Sequence, residues 1–258
     1  MMIARWWRNR RRRKILARGF PADWEGILRD NVRQYSVLPD EERQHLRACT
    51  QILVGEKYWE GCNGLQLTDE IRVTIAGQAS LLLLGSSPDD FNRLMTILVY
   101  PDTYLVSEKT QLPGGVVTES TGARWGEAWH RGPVIISWSN VNRHDQPGEP
   151  GRNLVLHEFA HVLDMSSNMV NGTPILDSNQ QYREWREVMT EEFLALRQAA
   201  EGNVATILDV YGAQNEAEFF AVATESFFEQ PLELKEQHPR LYGVLQEYYR
   251  QDPVLWWN

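Results

Sequence analysis

Apolar residues fall into three textures along the chain. Trp24, Ile27, Leu28, Val32 and Tyr35 recur at the 3.6-residue spacing of a helix with one buried side. Pro39 interrupts the pattern and Leu46 to Trp59 resumes it, so residues 23–60 read as helical. The chain turns around Cys62–Gly64, and Ala79–Leu84 is apolar on all sides, as a buried segment would be. Short β-branched or aromatic runs follow: Ile97–Tyr100, Tyr104–Val106, Val116–Thr118 and Val134–Trp138. Pro101-Asp102, Pro113-Gly114-Gly115 and Gly132-Pro133 separate them, which predicts a small mixed or antiparallel sheet with tight turns. Asn142–Arg152 is polar and rich in Pro and Gly, hence a loop. Helices return at Asn153–Met165, at Gln181–Ala200 (with Tyr182, Trp185, Val188, Met189 and Phe193 at helical spacing) and at Ala217–Glu229, which Pro231 bounds. Helices, a meander, then helices predict an α+β fold. No linker is long enough to force a second domain. Residues 20–258 therefore read as one unit, with a helical and sheet part at 20–150 and a helical part at 151–258.

Composition narrows the class. With 42% hydrophobic and 24% charged residues in 258, the chain is ordinary globular protein, not disordered or fibrous. Two cysteines, Cys49 and Cys62, cannot build a disulfide framework, which suits a reducing compartment such as the cytoplasm. The longest aliphatic run, Leu81–Leu84, falls far short of the roughly 20 residues of a membrane span. The net charge of −9 is uneven. Arg5, Arg8, Arg10, Arg11, Arg12, Arg13 and Lys14 crowd residues 1–14 with no acid among them, leaving 19 basic against 35 acidic groups, a balance of −16, in the remainder. So acidic a body argues against nucleic acid as the main partner. The basic head lacks the apolar segment of a secretory signal. With Trp6 and Trp7 it suits contact with anionic lipid or nucleic acid; its simplest form is a solvated tail, residues 1–19.

Chemistry concentrates in Leu154-Val155-Leu156-His157-Glu158-Phe159-Ala160-His161-Val162-Leu163-Asp164. His-Glu-x-x-His on a helix puts both imidazoles on one face, a turn apart, able to reach one ion. Zinc takes nitrogen donors in tetrahedral geometry, and a catalytic site keeps one position open for water. Glu158 sits about 100° around the helix from His157, poorly placed as a ligand but able to reach a water in that open position, as a general base would. The alternative is a buried helix with two core histidines and a charged rim. An unpaired buried carboxylate between them would be costly, which favours the metal.

A third ligand must come from elsewhere, because the sixth position after His161 is Ser167, where the elongated zinc motif carries His. Glu216, Glu218 and Glu225 lie on the later helix. Glu218 and Glu225, seven apart with Val222 between, share a face, and Glu216 points away. Asn215 with Glu218 is also a capping-box pattern, so spacing leaves both carboxylates open. Asp164 faces the side of the two histidines, suited either to orienting an imidazole or to pairing with an arginine. His130, beside Trp129, reads as structural or exposed rather than as a ligand.

Several strings resemble a known family. They are Phe20-Pro21-Ala22-Asp23-Trp24, Tyr58-Trp59-Glu60-Gly61-Cys62-Asn63-Gly64-Leu65, and Thr68-Asp69-Glu70-Ile71-Arg72-Val73-Thr74-Ile75. Gly126-Glu127-Ala128-Trp129, Gly132 to Trp138, His157 to Asp164, and Tyr211 with Glu218-Phe219-Phe220-Ala221 complete the set. Together they resemble the Mlc titration factor A family of bacterial zincin-type metallopeptidases over about four-fifths of the chain, from Phe20 to Phe228. The resemblance implies a zincin-like fold in which His157, His161 and Glu218 bind one zinc ion, Glu158 activates water and Tyr211 assists. A similar tyrosine-then-glutamate arrangement occurs in the anthrax lethal factor type of zincin. It also implies a cytoplasmic peptidase, with aminopeptidase as the narrower option, that binds the transcriptional repressor Mlc and modulates glucose-uptake gene expression. Zincins pair an extended substrate with the edge strand of their sheet, which makes Val134–Trp138 the candidate peptide rail; an ordinary core strand is the alternative. The competing expectation is a non-catalytic regulatory protein that sequesters a repressor, with zinc mainly structural. Against it, a structural zinc site has four protein ligands and no need of Glu158.

Overall fold

Helix breakers and β-branched runs set the element order. The computed structural model describes residues 2–102, 108–111, 117–120, 132–141, 151–167 and 169–257. The expected strand Tyr104–Val106, the string Gly126–Trp129, His130 and most of the loop Asn142–Arg152 lie outside these residues. Helices α1 (Met2–Leu16), α2 (Ala22–Asn31) and α3 (Asp40–Glu56) precede strand β1 (Tyr58–Gly61) and helix α4 (Asp69–Leu81). Strands β2 (Thr96–Tyr100), β3 (Glu108–Gln111), β4 (Val117–Ser120) and β5 (Val134–Ser137) follow, then the short α5 (Trp138–Val141). The rest is helical: α6 (Leu154–Asp164), α7 (Asn179–Glu201), α8 (Glu216–Glu229), α9 (Pro231–Gln237) and α10 (Pro239–Tyr249). The mixture is α+β. No helix among the described residues is long and apolar enough to cross a membrane.

The sheet corrects two expectations. Tyr58–Gly61 does not continue α3 but forms β1, paired with β2 from Tyr58–Thr96 to Gly61–Val99. The three-stranded sheet β1-β2-β5 is parallel throughout, and the antiparallel ladder is a separate pair, β3 with β4. Parallel neighbours need long crossovers, and α4 occupies the one between β1 and β2. Ile97, Val99, Val134 and Ile136 alternate onto one face of the sheet and are buried there, as period-2 geometry dictates. Among the described residues β5 is an edge strand.

Helices α4 and α8 run through the core. Thr68 caps α4, its Oγ1 accepting from the Ile71 N–H, and residues 73–83 are almost wholly inaccessible. At Gly77 a Cβ would stand 2.5 Å from Leu28 Cδ2 and 3.0 Å from Val32 Cγ2, so a larger residue would make those side chains shift where α2 packs on α4. Helix α8 is buried from Ala217 to Glu229, with Glu218, Glu225 and Glu229 among the buried residues.

The N-terminal segment is not a solvated tail. Arg12 is only 8% exposed, and its guanidinium donates to Glu56 (2.9 and 3.1 Å), Asp89 (2.6 Å) and Asn92 (3.1 Å). Those partners are far away in sequence, so charge counting along the chain does not reveal them.

Candidate metal centre

Asn153 starts the helix that matters most. Its Oδ1 accepts from the Leu156 N–H at 3.0 Å, satisfying one of the free amides of the first turn of α6, while its Nδ2 donates to Glu229 on α8 at 2.8 Å. One side chain thus begins α6 and ties it to α8. Leu156, Phe159 and Ala160 fill the buried side of α6, leaving His157 and His161 together at the boundary with α8.

There Glu218 meets them. Its Oε2 lies 3.0 Å from His157 Nε2 and 3.5 Å from His161 Nε2, and the two Nε2 atoms are 3.3 Å apart. Asn215 caps α8 by accepting from the Glu218 N–H with its own Oδ1, while Oε2 of the Glu218 carboxylate is turned to the two histidines. Glu225 serves differently: its Oε1 is 2.7 Å from His157 Nδ1 and its Oε2 accepts from the Asn153 N–H. A proton placed on Nδ1 of His157 would point at Glu225 and leave Nε2 turned toward Glu218. Glu216 is exposed, facing away as its spacing predicts.

These three residues form a group able to hold a metal ion. A small tetrahedral cation with ligands at about 2.0–2.1 Å requires ligand atoms about 3.3–3.4 Å apart. The observed edges of 3.0, 3.3 and 3.5 Å straddle that value. Among the described residues the set is two nitrogens and one carboxylate oxygen, three donors where a structural zinc site has four. The buried Nδ1 of His161 has no hydrogen-bond partner among the described residues.

Electrostatics without an ion reflect the crowding. Burial opposes a charged His157, but its hydrogen bonds to Glu218 and Glu225 prevail and raise its pKa to about 10. Burial likewise disfavours the Glu218 carboxylate, yet the two histidines outweigh it and pull the pKa down to about 2. Glu158 is buried and its pKa is raised, chiefly by desolvation, against the pull of His157 and His161. Tyr211, on a 3-10 turn over Val210–Ala213, lies with its ring centroid 5.9 Å from that of His157. Burial, then the charges of Glu218 and Glu158, push its hydroxyl up to about 12, so it keeps its proton and can donate.

Asp164 does neither task expected of it. Fully buried, it accepts from the N–H groups of Gly172 (2.8 Å) and Thr173 (2.9 Å), pinning the loop after α6. Gly172 has a φ of +70°, and a Cβ there would stand 2.2 Å from the Glu216 carbonyl oxygen, so glycine is required where this loop passes the start of α8. Asp209 escaped the sequence reading altogether. Its carboxylate accepts from the Tyr211 N–H at 2.9 Å and from Arg152 just ahead of α6, linking the tyrosine turn to the metal helix. An Asp two residues before Tyr211 is a turn signal that the sequence does carry.

The family model described as glucose-regulated metallo-peptidase M90 matches residues 4–250. A relative from Synechocystis sp., Uncharacterized protein slr2042, is 40% identical over 250 residues, covering 96% of this chain and 91% of its own. Mlc titration factor A of Pectobacterium atrosepticum is 33% identical, covering 90% and 86%. The protein of the same name from Yersinia pestis is 28% identical over 236 residues. The match from residue 4 also brings most of α1 into the region of likeness, beyond the Phe20–Phe228 span of the sequence resemblance.

Proposed function

Because the chain belongs to the glucose-regulated metallo-peptidase M90 family, we propose that it is a zinc-dependent peptidase with a zincin-like fold in one domain. His157, His161 and Glu218 hold the ion, and Glu158 and Tyr211 act on the substrate. The observation that carries this reading is the triangle of donor atoms with 3.0, 3.3 and 3.5 Å edges, contributed by residues 61 positions apart in sequence. Zinc, when bound there, supplies a Lewis acid and brings the pKa of water from 15.7 to about 7.

The chain's own residues do the rest. Glu158 takes a proton from the attacking water and passes it to the leaving amine. The Tyr211 hydroxyl donates to the oxygen that becomes negative as the carbonyl turns tetrahedral. Glu225 fixes His157 in the tautomer that presents Nε2. Asp209 holds the turn that carries Tyr211. Strand β5, at an edge of the sheet among the described residues, offers backbone groups to an extended peptide, with α5 and α6 next in chain order.

One peptide assay tests this with three arms. Hydrolysis of a chromogenic peptide panel, amino-terminal and internal bonds both represented, is lost with a chelator and restored by zinc. Tyr211→Phe slows kcat by roughly 10²- to 10³-fold with metal content unchanged. Hydrolysis indifferent to the chelator refutes the proposal, and unchanged kcat in Tyr211→Phe removes the tyrosine from it. Preference for the amino-terminal bonds would mark an aminopeptidase.

The relatives' name, Mlc titration factor A, supports a second role, binding of Mlc; that Mlc is a cytoplasmic repressor through which glucose-uptake genes are influenced is what the family resemblance implies. The two roles can share one molecule. Capture of a purified repressor of this type by the Glu158→Gln chain separates them, since binding then persists without turnover.

A further inference from the structure

Helix α1 divides its residues sharply between two sides. The inner side is fastened to the body through the Arg12 cluster, through Arg8 with Asp89 at 3.2 Å, and through Gln51, whose Nε2 donates to the carbonyls of Ile15 and Gly19. At 100° per residue, positions 6, 10, 13, 14 and 17 gather on the side opposite Arg12. That outer side carries Trp6, Arg10, Arg13 and Lys14, with Trp7 and Arg18 at its margin. Trp6 and Trp7 are 49% and 59% exposed, unusual for side chains of that size. The first acidic residue of the chain is Asp23, and among the described residues Arg10, Arg13, Lys14 and Arg18 make no ion pair.

We propose that this face docks the protein peripherally on an anionic lipid bilayer. Indole rings settle at the headgroup boundary, where an apolar body and a polar N–H are both satisfied, and neighbouring Lys and Arg meet lipid phosphates. Residues 15–258 carry a net −16, and their repulsion by the same surface favours an approach with α1 foremost. The rigid inner clamp matters, because it presents the patch as part of the folded body. A single-stranded nucleic acid fits less well. The two indoles pack edge to face at 4.9 Å, and the Arg10 guanidinium sits 5.4 and 5.9 Å from their centroids, so they do not offer the separate open ring faces on which successive bases stack. With two large apolar groups among the described side chains of this face, attachment is reversible and falls with salt.

The test is co-sedimentation of the full chain with vesicles of phosphatidylcholine alone or of phosphatidylcholine with one-quarter phosphatidylglycerol. The intact chain pellets with the anionic vesicles, stays in solution with the neutral ones, and is released by 0.5 M salt. Replacing Arg10, Arg13 and Lys14 together with Glu weakens binding by roughly 100-fold or more. Trp6→Ser with Trp7→Ser weakens it independently, while the thermal unfolding midpoint, which reports the Arg12 clamp, is kept in both variants. Equal pelleting with both vesicle types, none with either, or unchanged binding by the charge-reversed chain overturns the proposal. So does tighter binding of a single-stranded oligonucleotide than of anionic vesicles in the same buffer.

Discussion

Replacing Glu158 with Gln leaves the chain folded and metal-loaded but lowers peptide hydrolysis by roughly 10²- to 10⁴-fold, the usual worth of a positioned general base. Glutamine keeps the size and one acceptor of the carboxylate, so packing around this buried position on α6 changes little. What it removes is the proton acceptor. Glu158 is not one of the three converging donors, which is why metal content should hold while turnover falls. Kinetics on one chromogenic substrate, with zinc measured on the same preparation, decides the matter. Retained turnover removes Glu158 as the base, and joint loss of metal and turnover moves it into the coordination sphere.

Glu218→Ala produces the opposite split. The cap of α8 survives, because Asn215 makes it with its own side chain to the backbone at residue 218. The donor triangle loses a corner. Removing a group that merely orients a ligand weakens metal affinity 10- to 100-fold, so losing a ligand itself should weaken it by roughly 100-fold or more. Asn215→Ala supplies the contrast: about 1 kcal/mol of stability lost, metal retained. Competition against a zinc-sensitive dye reads both variants. Glu218→Ala binding zinc as tightly as the parent would reduce Glu218 to a neighbour of the histidines.

How much of this was legible before any coordinates depended on how local each feature is. Helix α6 and its two histidines declare themselves, because a four-residue spacing and an apolar flank both lie within a dozen residues. Glu218 stands 61 residues beyond His157, and periodicity could only offer it alongside Glu225; the structure gives the two carboxylates different jobs on opposite sides of the His157 ring. Strand β1 was hidden because Tyr58 and Trp59 extend the apolar rhythm of α3, and only pairing with β2, nearly forty residues away, makes them a strand. The same remoteness concealed the parallel sense of the sheet. Asp164 found backbone amides in a loop whose shape depends on Gly172. Arg12 looked like one more solvated charge because Glu56 and Asp89, its partners, are supplied by the fold.

X-ray absorption at the zinc edge of the loaded protein, with anomalous scattering from its crystals, probes the coordination directly. One zinc per chain, bonded to Nε2 of His157, Nε2 of His161 and a carboxylate oxygen of Glu218 at about 2.0–2.1 Å with one solvent oxygen completing a tetrahedron, is the outcome expected here. An ion bound elsewhere, or one enclosed by four protein ligands, would contradict it.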